Sequence, residues 1–289
     1  MESFIEKTVR QLSDPASLAG VIHKDSHGTM PSVDVLEEIV EDLRSVIFPG
    51  YFGYSDVTGE SMRYYTGALL DRVYQKLVKQ IRRGFCFVCD EGEKHSCERC
   101  LDRSQRIARE LIEKMPELRA LLSTDAEAAY DGDPAARSIG ETIFCYPSIR
   151  AITNQRIAHE LFIRDVPIIP RMITELAHSQ TGIDIHPGAH IGSHFFIDHG
   201  TGVVIGETCI IGSNVRIYQG VTLGAKSFPK DESGNPIKGM PRHPIVEDDV
   251  VIYAGASILG RITVGKGAVI GSNVWVTDNV PAGNKVLER

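Results

Sequence analysis

The chain has 289 residues, of which 42% are hydrophobic, and a formal net charge of -7. That is enough apolar material for a substantial core, and the acidic balance offers no long-range attraction for nucleic acid or an anionic membrane surface. No stretch approaches the length of a membrane span, and the start, MESFIEKTVRQLSD, is amphipathic without the apolar core of a secretory signal, so the expected location is the cytoplasm.

Up to about residue 180 apolar residues recur at three- and four-residue steps, as in VDVLEEIVEDLRSVIF and ESMRYYTGALLDRVYQKLVKQIRR. The spacing predicts an all-α region over residues 1–182, with helix ends marked by Pro49-Gly50, by Gly84, and by Gly182 after PIIPRMITELAHSQT. Within it, CFVCDEGEKHSCERC sets Cys86, Cys89, Cys97 and Cys100 in two C-x-x-C pairs seven residues apart. Four thiolates so spaced suit a closed structural zinc site pinning a helical hairpin, with His95 as a substitute ligand; an iron–sulfur cluster or unmetallated, redox-active thiols would use the same residues. The nearby Arg82, Arg83, Arg99, Arg103 and Arg106 are interleaved with acids and read as a solvated helix face, not a nucleic-acid surface. Cys145 and Cys209 stand alone in apolar surroundings, the habit of reduced, buried thiols.

After Gly182 the period changes. Aliphatic residues return every sixth position, at Ile185, Ile191 and Ile197, then Ile205, Ile211, Ile217 and Leu223, then Val246, Ile252, Ile258, Val264, Ile270 and Val276. Three hexads make one triangular coil of roughly 18 residues whose aliphatics point inward and stack on the next coil. The fold class predicted is therefore α plus β-solenoid: an N-terminal all-α domain, 1–182, followed by a left-handed parallel β-helix over 183–289.

The rhythm breaks twice. Ile197 to Ile205 spans eight residues instead of six, across the DHGTG segment, and Leu223 to Val246 encloses a 22-residue loop, 224–245. Insertions in a solenoid are where function concentrates. Asp198 and His199 sit in the first break, and spacing alone leaves them open between solvated turn residues and chemistry. Asp184 lies 15 residues before His199, close to one coil, and a histidine held by a carboxylate is what general-base catalysis requires.

The segment DIHPGAHIGSHFFIDHGTGVVIGETCIIG, with VTLGAKS, RHP and AGASILG after it and DPA (133–135) and RIAHELF before it, resembles the catalytic half of the serine O-acetyltransferases. These acetyl-CoA-dependent enzymes open cysteine biosynthesis. The resemblance covers roughly residues 115–281. It implies His199 as the base that takes the serine hydroxyl proton and Asp184 as the carboxylate that orients it. It implies Asp133 and Asp198 for the substrate ammonium, Arg242 and His243 for its carboxylate, and Glu207 close by. Acetyl-CoA, the co-substrate, would bind by backbone at Gly224, Ala225, Ala254 and Gly255.

The same resemblance implies a trimer or dimer of trimers with sites between subunits, and L-cysteine as an inhibitor in the serine site. Two departures stand out: the loop before RHP is longer than the family's glycine-rich GGTGK version, with Pro241 where Asp is frequent, and the chain stops at Arg289. Without the tail that docks into O-acetylserine sulfhydrylase in many relatives, that complex is not expected. The nearest alternative is a hexapeptide-repeat O-acetyltransferase for another hydroxyl, such as a sugar or homoserine. A hexapeptide carbonic anhydrase would need His186, His190, His194 and His199 to share a metal, and a non-catalytic scaffold would consume no thioester.

Overall fold

The computed structural model describes residues 3–18, 30–56, 58–88, 98–227 and 230–287. Its helices are α1 (Phe4–Leu12), α2 (Pro15–Leu18), α3 (Val33–Ile47), α4 (Gly59–Val88), α5 (Glu98–Gly132), α6 (Ile139–Cys145), α7 (Pro147–Phe162) and α8 (Ile169–Thr181). The i, i+3, i+4 spacing read from the sequence is what packs them. In α3 the buried stripe is Leu36, Ile39, Val40, Leu43 and Ile47, and Ser32 caps the start by accepting the Val35 N–H at 3.3 Å. In α4 it is Leu69, Val73, Leu77 and Ile81. Among the described residues no helix is long and apolar enough to cross a membrane.

Two sequence expectations are corrected here. Gly84 does not end a helix but lies inside α4, because a Cβ there would sit 2.9 Å from the Pro167 carbonyl oxygen and 3.0 Å from Ile169 Cγ1; glycine permits the 167–169 segment to press on the helix. Cys145 is exposed at the end of α6, whereas Cys209 is buried as expected, its thiol pKa pushed up to about 12 by loss of water.

Helix α8 ends at Gly182 in the left-handed conformation (φ 71°) and the chain enters the coils directly. Three parallel sheets form the faces of a triangular prism, a left-handed β-helix. Face one holds β1 (Asp184–Ile185), β4 (Val204–Ile205), β7 (Thr222–Gly224), β10 (Ser257–Leu259) and β13 (Trp275–Val276). Face two holds β2 (His190–Ile191), β5 (Ile210–Ile211), β8 (Ile245–Val246) and β11 (Thr263–Val264). Face three holds β3 (Phe196–Ile197), β6 (Arg216–Ile217), β9 (Val251–Ile252), β12 (Val269–Ile270) and β14 (Lys285–Val286). The hexad aliphatics are the inward rows: Ile185, Ile205, Leu223, Ile258 and Val276 stack in register on face one. Ile197, Ile217, Ile252 and Ile270 do so on face three.

Helix α7 joins the two regions. Arg156 is 4% exposed and makes a two-pronged bond to the fully buried Asp125 carboxylate of α5 at 2.8 and 3.0 Å, while also donating to the Ile191 and Gly192 carbonyls of the first coil. Asp125 also accepts the Phe195 N–H, Gln155 donates to the Ala189 carbonyl, and His159 Nδ1 donates to the Pro187 carbonyl. The first coil, which precedes the DHGTG break, is thus fixed to the helices through its own backbone.

Candidate active site

The hydrogen-bond ladder identifies the two extra residues of the first break. The N–H groups of Asp198, Tyr218 and Tyr253 donate to the carbonyls of Ile217, Ile252 and Ile270 in the next coil, so these three residues are equivalent. Gly220 N–H donates to the Thr201 carbonyl and Gly255 N–H to the Gln219 carbonyl, which makes Thr201-Gly202, Gln219-Gly220 and Ala254-Gly255 equivalent as well. Between Asp198 and Thr201 lie only His199 and Gly200, so the insertion is His199-Gly200 itself. Both have positive φ, 58° and 92°, and a Cβ on Gly200 would lie 2.5 Å from Ile183 Cδ1. The turn thrusts the His199 side chain outward, where it is 73% exposed with Nε2 3.8 Å from Asp198 Oδ1.

Asp133 belongs to the same neighbourhood. It follows α5, accepts the Ala135 N–H at 2.8 Å, and accepts the Tyr146 hydroxyl at 2.5 Å. That hydroxyl bond chiefly holds its pKa below the usual carboxylate value, with the charge of His199 contributing. Asp184 is brought to the turn by backbone, Gly202 N–H donating to the Gly182 carbonyl and Asp184 N–H to that of Val203. Its carboxylate does not pair with His199 in this chain; it faces Arg171 Nη1 at 3.4 Å. Glu175, His178 and Asp184 could together reach one cation, but Arg171 already bridges Glu175 and Asp184.

The second group of expected residues sits at the next corner of the triangle, between faces one and two. Arg242 pairs with Glu207 at 2.7 Å. His243 is 7% exposed, and its Nδ1 accepts both the Thr208 N–H (3.1 Å) and the Thr208 hydroxyl (2.9 Å). With Nδ1 occupied as acceptor, the proton resides on Nε2. Burial first, then the Arg242 charge, pushes the His243 pKa down to about 4, so near neutrality this ring is an uncharged donor. A Cβ on Gly206 would lie 2.1 Å from His243 Cδ2, so glycine is what makes room for the ring.

Sequence reasoning does not single out Tyr146, Thr208, Gly206 or Arg171. Thr208 is legible in principle, standing beside Glu207 in GET; the others act through packing that spacing does not encode. Of the expected coenzyme A residues, Gly224 ends β7 beside Leu259 and Ala225 follows it, while Ala254-Gly255 form the turn before β10. His186, His190, His194 and His199 are distributed around the triangle and do not converge within one chain. Cys86 and Cys100 are half-buried near facing ends of α4 and α5; Cys89, Cys97 and His95 lie outside the described residues.

Residues 243–278 match the family model for the bacterial transferase hexapeptide (six repeats). A curated serine acetyltransferase of Synechococcus elongatus is 49% identical over 290 aligned residues, covering 100% of this chain and 90% of the relative. Among solved structures, serine acetyltransferase isoform 3 of Entamoeba histolytica in complex with cysteine superposes with a TM-score of 0.74 at 33% identity, covering 100% of this chain and 93% of that one. Soybean serine acetyltransferase complexed with serine superposes at 0.56 with 27% identity, covering 90% of this chain and 98% of its own. A single-coil insertion carrying a histidine, a helical platform ahead of it and a relationship spanning the whole chain lead to one conclusion: the chain belongs to the serine acetyltransferase family.

Proposed function

We infer that this chain transfers the acetyl group of acetyl-CoA to the hydroxyl of L-serine, giving O-acetyl-L-serine and coenzyme A in L-cysteine biosynthesis. The observation that carries the reading is the His199-Gly200 insertion, which lifts an exposed imidazole beside two carboxylates, Asp198 and Asp133, in a chain related over its full length to a serine acetyltransferase. His199 takes the proton from serine Oγ as that oxygen attacks the thioester carbonyl. The new C–O bond forms, the C–S bond breaks, and the imidazolium returns the proton to the departing thiolate.

Asp133 and Asp198 hold the serine ammonium, and Asp184, which faces Arg171 in the single chain, turns from it to orient the base. Arg242, steadied by Glu207, and the Nε2–H of His243 hold the serine carboxylate. Backbone at Gly224, Ala225, Ala254 and Gly255 carries the pantetheine arm. L-cysteine keeps both charged ends of serine and competes for the same place. Coenzyme A release from acetyl-CoA, measured with serine, homoserine and a sugar panel, tests the reading: release only with a sugar or homoserine moves it to the alternative acceptor, and full rate in His199→Ala removes the base.

In one chain the His199 group and the Arg242-His243 group occupy different corners of the triangle. We assign their meeting to adjacent subunits of a trimer, or a dimer of trimers, so that each site is shared. His199→Ala and Arg242→Ala chains, each inactive alone, should regain part of the activity when co-assembled; a mixture as inactive as its parents would refute sharing. The helical region 1–182 then serves as platform and assembly domain and 183–289 as the catalytic β-helix, with the 224–245 loop at its groove. Cys86, Cys89, Cys97 and Cys100 would together supply four thiolates to a structural zinc; less than about half an equivalent of zinc with four titratable thiols would remove that reading. The enzyme works in the cytoplasm, where fractionation should find it.

A further inference from the structure

The outward residues of face one form a continuous row along the prism. Asp184 pairs in register with Val204, Val204 with Thr222, Thr222 with Ser257, and Ser257 with Trp275. The row begins beside the catalytic turn. It then passes two small hydroxyl residues that leave the surface low, and ends on the chain's single tryptophan, a residue left 69% exposed. No packing requirement explains that exposure: the inward neighbour Val276 closes the coil, and the same outward position in the two preceding coils is filled by Ser257 and Thr222.

We propose that Trp275 is the platform on which the adenine of acetyl-CoA stacks. The proposal rests on the reading of the chain as an acetyl-CoA-dependent transferase and names a contact that reading lacks. Neighbouring strands are ~4.8 Å apart, so four steps carry the row ~19 Å from Asp184 to Trp275. From its sulfur to its first phosphorus, coenzyme A has about thirteen chain bonds; at roughly 1.2 Å of advance per bond the extended arm covers ~15 Å, with ribose and base beyond. The first phosphorus of a thioester held at His199 therefore stops ~4 Å short of the height of Trp275, which falls within the span of the pyrophosphate, ribose and base that follow. The backbone positions assigned to the arm lie at intermediate heights: Gly224 is two residues past Thr222, and Ala254-Gly255 form the turn one residue before β10, which carries Ser257.

A base stacked on an exposed indole gains most of its attraction from the ring faces, which needs no hydrogen-bond partner on the protein. It also fits a chain that is acidic overall and binds a polyanion, because the base anchors the nucleotide end without calling on net charge.

Trp275 is its own reporter. The native enzyme is titrated with coenzyme A, with adenosine 3′,5′-bisphosphate and with pantetheine while tryptophan emission is followed. The expected result is quenching by the first two and none by pantetheine. In Trp275→Ala, KM for acetyl-CoA should rise roughly 10-fold with kcat within about twofold, while KM for acetyl-pantetheine stays unchanged, and Trp275→Phe should recover most of the loss. Emission unmoved at saturating coenzyme A, whether because the indole is sealed in a subunit interface or because the base lies elsewhere, would overturn the proposal, as would a wild-type KM in Trp275→Ala. Both outcomes can occur in an enzyme that acetylates serine normally, so they are separable from failure of the functional reading, which would show as no serine-dependent coenzyme A release.

Discussion

Two histidines at neighbouring corners of the same prism, His199 and His243, differ in nearly every physical respect. His199 stands on a left-handed turn with its side chain 73% exposed, and its nearest anion is 3.8 Å away. His243 is 7% exposed, has one nitrogen tied down twice by Thr208, and has its pKa pushed down to about 4. An imidazole open to solvent and substrate can exchange protons, whereas one held neutral by burial can only donate from the nitrogen left over. The difference teaches that residue type does not set the role: the insertion leaves one imidazole open to solvent, and the seat made by Gly206 and Thr208 buries the other and holds it neutral.

The sharpest way to break this comparison is to replace each ring in turn. His199→Gln should lower kcat by about 10³-fold with little change in KM for serine, because a base acting only in the transition state is lost. His243→Asn should do the reverse, raising KM for serine about 10-fold or more and leaving kcat within a few-fold. Steady-state kinetics on both variants, each checked for assembly, decides it: equal losses in kcat would mean that both rings move protons and the division is wrong.

Much of this architecture is legible in the residue pattern alone. The hexads at Ile185, Ile205 and Leu223 specify inward rows because a six-residue period admits only a triangular coil, and the eight-residue step at Ile197 announces an insertion. Which two residues are extra is not legible there, since DHGTG offers several choices and only the carbonyls accepting from Asp198, Gly220 and Gly255 separate them. The partner of Asp184 is likewise hidden: a carboxylate one coil from a histidine predicts proximity, but Arg171 arrives from α8 and claims it. Gly84 misleads for a related reason, as a glycine demanded by an approaching backbone is indistinguishable in sequence from one that ends a helix.

The contrast also has a consequence for acid stability. His243 has an ordinary value of 6.5 and a folded value of about 4, so as pH falls the unfolded chain binds a proton that the folded one refuses. Stability from this group is therefore complete above the ordinary imidazole range and declines as pH descends through it toward 4. By about pH 5 the loss should reach about 2 kcal/mol. His159 and His186, also lowered by burial, push the same way, so the measurement is a difference: denaturant midpoints of wild type and His243→Gln against pH. The wild type should lose more between neutrality and pH ~5, and parallel curves would show that position 243 is not held neutral.

The smallest expected effect concerns the residue that does the holding. The Thr208 hydroxyl accepts the N–H groups of Arg242 at 2.9 Å and His243 at 3.1 Å while donating to His243 Nδ1 at 2.9 Å, so one side chain fixes both the backbone and the tautomer of the carboxylate-binding pair at the end of the long loop. Valine at this position keeps the volume and the Thr208 N–H contact but leaves two backbone donors unmatched. Thr208→Val should raise KM for serine about 10-fold, less than the full cost of two lost bonds because only part of it falls on the substrate-binding geometry, with kcat changed little. Thr208→Ser restores the hydroxyl and should restore KM. A purely structural role would give a different signature, with kcat, KM and melting temperature degraded together and serine no better than valine. If Thr208→Val binds serine as tightly as the wild type, His243 is positioned by its burial alone, and the contrast between the two corners rests on packing instead of on a hydrogen-bonded clamp.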